Sequence, residues 1–329
     1  MATENRICAA VLLSVLAYCA AFHSVARAQS DYPSKPIRLT IPFPPGGASD
    51  ILARTIADRL TEPLRQRVVV DNRPGGGGLI AIETVSRAAP DGYSLLQIAT
   101  SFVINPSLYK SLPYHPEKDF TPIGVLAIAD NILVVHPSLP ARTVSEFIAL
   151  GRSRPGQLNY AHSGYGTQAY LAAELFKQTT GINMVPVAYK GTPGSLIDVM
   201  GGQVHLMFAG APPALPHIRA GKLRAVAVTG RERLTDLPSV PTVAETIPGF
   251  EAAVWYGLLA PAGTPREVIV RLHAETNTVL RNAGVRERLA GFGFQVLSSE
   301  SPDSFATFMR AEGAKWAKVI QLSGTKAEN

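Results

Sequence analysis

Cysteine is scarce in this sequence, and what there is lies at one end. The 329 residues include 2 cysteines, Cys8 and Cys19, both within the first twenty positions. The rest of the chain therefore cannot form a disulfide framework or a four-cysteine zinc site. Thiol catalysis is excluded there as well.

Charged side chains are also few. They make up 17% of the residues, against an ordinary value of about 25%. The 31 lysines and arginines, set against 25 acidic residues, form no continuous block, so we expect no nucleic-acid partner. Because the hydrophobic content of 46% is ordinary, the chain is predicted to fold rather than to stay disordered. The small basic excess mildly favours an anionic ligand.

An apolar run near the N-terminus predicts export. It extends from Ile7 to Ala21, follows Arg6, and ends before Ala26-Arg27-Ala28. A short, weakly basic start, an apolar segment and an Ala-x-Ala end are the parts of a secretory signal peptide. We therefore predict that residues 1–28 are a signal peptide cleaved after Ala28.

Two other fates for this segment stay open. An uncleaved anchor would need about 20 apolar residues, more than this run offers, and a lipoprotein signal at Cys19 would need a small residue where Tyr18 stands. Further along, the apolar stretch from Val125 to Val135 is interrupted by Asp130 and Asn131. The cleaved chain, with 29 basic and 24 acidic residues, is predicted to be soluble.

Short apolar runs alternate with helix-period segments along the chain, which is typical of an α/β protein with mainly parallel sheets. The length exceeds the roughly 250–300 residues at which a single core stops growing, so two lobes are expected. The predicted strands are Ile37–Phe43, Val68–Asp71, Ser94–Thr100, Ile123–Val135, Leu158–Ala161, Met184–Tyr189, Val204–Ala209, Leu223–Thr229, Val254–Ala260 and Phe294–Ser298.

No flexible linker divides the chain, so the two lobes are predicted to be joined by strands that cross between them. Ile123–Val135 is about twice the length of a typical strand, and Val254–Ala260 continues into an extended Pro-Ala-Gly segment. With these two crossover strands, lobe I comprises residues 31–127 and 256–329, and lobe II comprises residues 128–255. Ligands of such folds bind where the carboxyl ends of strands face a crevice.

Two Gly-rich turns each connect a predicted strand to a predicted helix. They are Ile41-Pro-Phe-Pro-Pro-Gly-Gly-Ala-Ser-Asp50 and Tyr160-Ala-His-Ser-Gly-Tyr-Gly-Thr-Gln168. Glycine lets the backbone approach a ligand, and the first turn of a helix offers unpaired N–H groups at the positive end of its dipole. Two such turns facing one crevice would suit a carboxylate ligand. Either turn alone is equally an ordinary strand-to-helix connection.

Patterns of catalytic chemistry are missing from the sequence. The segment Ala161-His162-Ser163-Gly164-Tyr165 lacks the flanking glycines of a nucleophile elbow. The histidines show neither HExxH nor paired i, i+4 spacing, and no Gly-Lys-Ser/Thr follows Gly75 to Gly78. We therefore predict that the protein is not an enzyme and that it holds no cofactor or metal. An exported hydrolase is kept as the least favoured alternative.

An ordered series of short motifs extends across the chain beyond residue 31. The series is Tyr32-Pro-Ser-Lys-Pro-Ile-Arg-Leu-Thr-Ile-Pro-Phe-Pro-Pro-Gly-Gly-Ala-Ser-Asp50, Asp71-Asn-Arg-Pro-Gly-Gly-Gly-Gly78, Ala89-Pro-Asp-Gly-Tyr93, Asn105-Pro-Ser-Leu-Tyr109, Ser163-Gly-Tyr-Gly-Thr167, Tyr189-Lys-Gly191, Gly201-Gly-Gln-Val204, Gly221-Lys-Leu-Arg224, Leu237-Pro-Ser-Val-Pro-Thr242 and Ala260-Pro-Ala-Gly-Thr-Pro265. In this order the motifs resemble the substrate-binding proteins of tripartite tricarboxylate transporters, the Bug family.

The resemblance implies a fold, a location and partners. The fold would be a periplasmic binding protein, type II-like, with two α/β lobes that close on a ligand. The protein would be a periplasmic monomer that captures a small organic acid, such as a di- or tricarboxylate or an aromatic acid, for a membrane transporter with one large and one small subunit. A ligand-presenting partner of a membrane sensor kinase would use the same cleft and remains the alternative.

The resemblance and the two turns together define the predicted ligand-binding residues. From the first turn these are Phe43, Gly46, Gly47, Ala48 and Ser49; from the end of a strand, Thr100 and Ser101; from the second turn, Ser163, Gly164, Tyr165, Thr167 and Gln168; and from lobe II also Lys190, Phe208 and Ala209. Members of the family often carry Phe-Asp where this chain has Phe208-Ala209. An aspartate there could pair with a ligand amine, so its absence predicts a ligand without a cationic amine.

Overall fold

The structure is a computed structural model that describes residues 32–75 and 78–323. The predicted signal peptide and its cleavage site therefore lie outside the described residues. Within those residues, no helix combines the length and the apolar character needed to cross a membrane.

The first part of the chain alternates strands and helices. Its elements are β1 (Ile37–Ile41), α1 (Ala48–Leu64), β2 (Val68–Asn72), α2 (Leu79–Ser86), β3 (Ser94–Ala99) and α3 (Ser101–Leu108), followed by the long strand β4 (Phe120–Val135). β1 lies between β2 and β3 and is parallel to both. Parallel strands need crossover connections, which α1 and α2 supply.

The second part repeats this alternation. Its elements are α4 (Val144–Ser153), β5 (Leu158–His162), α5 (Gln168–Thr180), β6 (Met184–Ala188), α6 (Thr192–Met200), β7 (Leu206–Gly210), α7 (Ala211–Arg219) and β8 (Arg224–Val228). β5 is parallel to both β6 and β7. A 3₁₀ turn, Val243–Glu245, precedes the return of the chain through β9 (Ala253–Pro261). The remaining elements are α8 (Arg266–Arg281), α9 (Ala283–Gly291), β10 (Phe294–Val296) and α10 (Pro302–Ser323).

β4 joins the two lobes. Its first part, through Asp130, pairs with β9 and β10 of lobe I, and its last residues, from Asn131, pair with β7 and β8 of lobe II. All of these pairings are antiparallel, so each lobe has a mixed sheet in which parallel strands adjoin the crossing strands. The α/β fold with two lobes is confirmed, as are the ten predicted strands, whose ends differ from the prediction by a few residues. The residue limits of the lobes stay a prediction.

Helices cover both faces of each sheet. Along β4, Leu133 and Val135 belong to one apolar core, whereas Ile132 and Val134 belong to the core on the opposite face. This alternation follows from the two-residue period of a strand. Helices on both faces leave the carboxyl ends of the parallel strands as the open edge of each lobe, and there the helices begin.

The last helix, α10, contacts both lobes. Phe305 lies in a core of lobe I together with Trp255 of β9, while Trp316 and Ile320 lie in a core of lobe II. Between them, Glu312 accepts hydrogen bonds from the indole nitrogens of Trp255 (3.1 Å) and Trp316 (3.2 Å). α10 is therefore a third connection between the lobes, beside the two crossing strands.

Candidate functional site

Five helices begin at the wall of one cleft between the lobes. The cleft encloses about 600 Å³ including its open mouth. Its wall includes Gly47, Ala48 and Ser49 of α1, Ser101 of α3, Thr167, Gln168 and Ala169 of α5, Thr192 and Pro193 of α6, and Gly210 before α7. The first N–H groups of a helix have no partner within the helix, so the cleft is lined by hydrogen-bond donors from both lobes. The starts of α6 and α7 offer fewer of them, because prolines in their first turns carry no N–H.

A buried carboxylate holds the lobe I turn in shape. Asp50 accepts hydrogen bonds from the N–H of Gly46 (3.0 Å), from Arg54 (3.0 Å) and from Asn72 (3.0 Å). Asn72 also donates to the carbonyl of Phe43 (3.0 Å). Burial alone would raise the pKa of Asp50, but these hydrogen bonds hold it below its usual value. The carboxylate therefore stays charged and fixes the turn.

A buried amide supports the first turn of α1 from beneath. Nε2 of Gln97 donates to both the carbonyl (2.9 Å) and the hydroxyl (2.8 Å) of Ser49. Gln97 lies on β3 and is fully buried. Since a buried hydrogen-bonded side chain has little freedom to move, the N–H groups at the start of α1 are held in fixed directions.

The lobe II turn is held by a side-chain cap and by aromatic packing. The Thr167 hydroxyl accepts from the N–H of Tyr170 (3.4 Å) and donates to the carbonyl of Gly164 (2.7 Å). A Cβ at Gly166 (φ +76°) would lie 2.9 Å from Leu108, so only glycine fits there. His162 packs beneath the turn at 4.8 Å from the ring of Tyr165, and burial lowers its pKa. His162 therefore acts as a neutral packing residue at pH 7.

The cleft attracts anions without a charged side chain. Among the described residues, no Lys, Arg, His, Asp or Glu lines it. Each helix N-terminus carries a positive partial charge that stabilises an anion by about 0.3–1 kcal/mol, or up to about 2 kcal/mol when partly buried. The positive potential of the cleft therefore comes from five helix ends.

Gln168 is a buried polar side chain on the wall whose amide makes no hydrogen bond to the described residues. Gln168 is 4% exposed, and neither Oε1 nor Nε2 has a hydrogen-bond partner among the described residues. An unsatisfied buried amide costs about 1–3 kcal/mol. A polar ligand, or water, at this position would remove that cost.

Eight of the predicted residues lie on the cleft wall. They are Phe43, Gly47, Ala48, Ser49, Ser101, Ser163, Thr167 and Gln168. The structure thus brings the two turns together across one cleft. Their role in binding a ligand stays a prediction.

The other predicted residues lie off the wall. The N–H of Gly46 is used by Asp50, Lys190 is exposed to solvent, and Thr100 is fully buried with its hydroxyl on the backbone N–H of Trp255 (3.0 Å). Gly164 and Tyr165 support the second turn from outside the wall, and Phe208 and Ala209 are fully buried in the cores of lobe II.

The structure adds residues to the wall that the sequence did not single out. Asn131, Val254 and Tyr256 come from the crossing strands, Thr192 and Pro193 from the start of α6, and Pro44, Ala99, Ala169 and Gly210 from positions next to predicted ones. The start of α6 follows a predicted strand directly, as the two chosen turns do, and that signal would have identified it. The crossing strands carry no such signal, because their site residues lie within the strand.

Comparison with known proteins matches this architecture. The family model of the tripartite tricarboxylate transporter family receptor matches residues 52–325. The protein BugT of Bordetella pertussis is 38% identical over 300 residues, which cover 90% of this chain and 91% of BugT.

Two solved structures of Rhodopseudomonas palustris proteins are also similar. Rpa4515 with adipate has a TM-score of 0.88 and 36% identity, covering 90% of this chain and 100% of that one. MatC with bound malate has a TM-score of 0.84 and 32% identity, covering 88% of this chain and 100% of that one.

Proposed function

Because the chain belongs to the tripartite tricarboxylate transporter receptor family, whose members are substrate-binding receptors and not enzymes, we propose that it captures a small organic carboxylate in the periplasm and delivers it to a tripartite tricarboxylate-type membrane transporter. The predicted signal peptide supports the location. The adipate and malate bound by its two structural neighbours support the class of ligand.

The observation that carries the proposal is the set of five helix N-termini around a cleft to whose wall the described residues contribute no charged side chain. A carboxylate has two acceptor oxygens and a negative charge, and both suit N–H groups at the positive ends of helices. A cation would meet five unfavourable dipoles and no acidic side chain. The same arrangement supports a ligand without a cationic amine.

Donors on both walls favour a ligand with two ends. One carboxylate would bind the starts of α1 and α3 in lobe I, and a second polar end would bind the starts of α5 and α6 in lobe II. Between these ends, Phe43, Val254 and Tyr256 offer apolar surface to the body of the ligand. Dicarboxylates meet these requirements, and so do aromatic acids with a second polar group.

The rims of the cleft are already close, as expected of a receptor that closes on its ligand. A Cβ at Gly191 of lobe II would lie 2.3 Å from Pro44 of lobe I, and one at Gly210 would lie 3.7 Å from Ala48. Micromolar affinity corresponds to about 8 kcal/mol, more than five helix ends supply at about 0.3–1 kcal/mol each. Hydrogen bonds and apolar contacts from both lobes must provide the rest, and only the closed form offers them together.

A change at the start of α1 tests the proposal. Gly47 is the N-cap of α1 with φ −80°, and a Cβ there makes only an ordinary contact of 3.7 Å with the carbonyl of Pro44. Asp and Asn are both good N-caps, so Gly47→Asp and Gly47→Asn should fold equally well and differ in charge alone. A like charge about 4 Å from a bound carboxylate costs about 4 kcal/mol near a protein surface.

We expect Gly47→Asp to bind the acid at least 100-fold more weakly than Gly47→Asn does, measured by calorimetry after a thermal-shift screen of organic acids on the wild type. Equal affinities of the two variants would remove the start of α1 from the site. If neutral or cationic solutes raise the melting temperature and no carboxylate does, the proposed function is wrong.

A further inference from the structure

Asn131 occupies the place where the chain passes from one lobe to the other. Asp130 pairs with Ala253 of β9 in the sheet of lobe I, and Asn131, the next residue, pairs with Gly210 of β7 in the sheet of lobe II. Asn131 is 2% exposed and lies on the cleft wall. It is therefore a polar residue at the floor of the cleft that belongs to neither turn.

Hydrogen bonds use all but one of the polar atoms of Asn131. Its backbone N–H donates to the hydroxyl of Thr229 (3.0 Å), and its carbonyl accepts from the N–H of Thr229 (2.8 Å). The single hydroxyl proton of Thr229 is shared between this carbonyl (3.1 Å) and that of Ala252 (2.8 Å). Its side-chain Nδ2 donates to the carbonyl of Ala252 (3.0 Å). Oδ1 accepts no hydrogen bond from the described residues, so it is the acceptor that Asn131 leaves for a ligand, and Nδ2 keeps a second N–H beside it.

The orientation of the amide is fixed. The carbonyl of Ala252 can only accept a hydrogen bond, so Nδ2 and not Oδ1 must face it. Turning the amide over would place two acceptors, Oδ1 and the carbonyl oxygen of Ala252, against each other. Gln168 on the opposite wall differs, because both ends of its amide lack partners and it can turn to suit either a donor or an acceptor.

Oδ1 of Asn131 is an acceptor at the floor of the cleft, whereas the helix starts around it offer N–H donors. A carboxylate oxygen placed against Oδ1 would be repelled, whereas a hydroxyl group would be bound. An ammonium group could also donate to Oδ1, but the positive helix ends disfavour a cation. Resting on the proposed function, we propose that Asn131 recognises a hydroxyl group on the bound acid, and that the ligands of this protein are hydroxycarboxylates.

Matched pairs of acids test this without changing the protein. The pairs are succinate and malate, glutarate and 2-hydroxyglutarate, adipate and 2-hydroxyadipate, and phenylacetate and mandelate. In the pair that binds most tightly, we expect the hydroxylated member to bind about 2- to 12-fold more tightly, the range of one net hydrogen bond. Methylation of that hydroxyl removes the donor and keeps the oxygen, so the methyl ether should lose the advantage.

Two variants assign the preference to Asn131. Asn131→Ala should bring the affinity ratio of the pair close to one. Gln168→Ala should weaken both members and leave their ratio unchanged, because its amide does not discriminate. Calorimetry gives the affinities, and the methyl ether test on the wild type stands even where Asn131→Ala fails to fold.

The outcomes separate the two proposals. If acids bind and the hydroxyl makes no difference, or if Asn131→Ala keeps the ratio of the wild type, this inference is wrong and the proposed function stands. A methyl ether that binds as tightly as the hydroxy acid also overturns it. If no acid of any pair binds and no other carboxylate of the thermal-shift screen raises the melting temperature, the proposed function fails.

Discussion

Asp130 is the neighbour of Asn131 on β4, and its side chain titrates in an unusual range. Side chains alternate along a strand, so Asp130 faces away from the cleft, into a groove between the end of β8 and the start of β9. It packs against Gly230, where a Cβ would lie 2.2 Å from its carboxylate. Burial, with the nearby charge of Glu251, raises the pKa of Asp130 to about 6. The change we propose is Asp130→Asn.

The direction of the effect follows from linkage. The pKa of this carboxyl is near its ordinary value of 3.8 in the unfolded chain and is about 6 in the folded protein. The folded state therefore binds the proton more tightly, so protonation of Asp130 stabilises the folded protein. This stabilisation is complete below pH 4 and is lost as the pH rises through 6. The difference between these two pKa values corresponds to at most about 3 kcal/mol of folding stability, and solvent in the groove makes the actual energy smaller. Asn carries no charge at any pH and avoids the loss.

We therefore expect Asp130→Asn to unfold at a higher temperature than the wild type at pH 8, by about 2–6 °C, and to lose this advantage by pH 4. Melting curves at half-unit steps from pH 4 to pH 8 measure the difference. Asp58→Asn, a change at an exposed site on α1, serves as the control and should show no such trend. Equal gains at every pH, or a loss of stability at pH 8, would refute the reasoning. Other charged side chains also face the groove: Arg231, which pairs with Glu251 at 2.9 Å, and Glu232, Arg233 and Asp236. Because the variant and the wild type share these groups, comparing the two removes their contribution.

Two further predictions concern the lobe I turn and the rim. Gly191→Ala should bind the ligand at least tenfold more weakly and give a larger radius of gyration in solution scattering with ligand. The reasons are that its Cβ would lie 2.3 Å from Pro44 and that its φ of +147° favours glycine. Unchanged affinity would show that the rims need not meet. Asp50→Ala should weaken binding about tenfold, because it releases the N–H of Gly46 and loosens the turn. Arg54→Ala leaves the hydrogen bond from Gly46 to Asp50 intact and should have a smaller effect in the same calorimetric assay. The reverse order would contradict the role of Asp50 in holding the turn.

The sequence predicted the fold because its signals are local. Ten short apolar runs separated by helix-period segments identified every strand, and the unusual length of the run ending at Val135 identified the crossing strand. The resemblance to the Bug family is confirmed by the family match and by BugT. Contact of α10 with lobe II through Trp316 and Ile320 was not predicted, because nothing in an amphipathic helix specifies which of two cores it will cover.

The predicted residues that lie on the cleft wall come mostly from the two places where a strand ends in a Gly-rich turn before a helix. Both turns reached the cleft for that reason. Phe208 and Ala209 were assigned to the site from the resemblance to the family. The strand that they belong to is covered by helices on both faces, so both side chains are buried and Gly210, the next residue, lines the cleft. Asn131 appeared in the sequence only as a break in an apolar run. Its importance depends on Thr229 and Ala252, which are about a hundred residues away along the chain.

The neutral cleft also explains how affinity and closure can be coupled. A lysine or arginine has a long flexible side chain that could follow a carboxylate in an open or a closed cleft alike. Backbone N–H groups at a helix start cannot move independently of their lobe, so a ligand gains the donors of the second lobe only when the lobes come together. Asn131 at the floor of the cleft is likewise held in place, by hydrogen bonds to Thr229, which follows β8, and to Ala252, which precedes β9. A receptor built in this way gives its closed form the higher affinity.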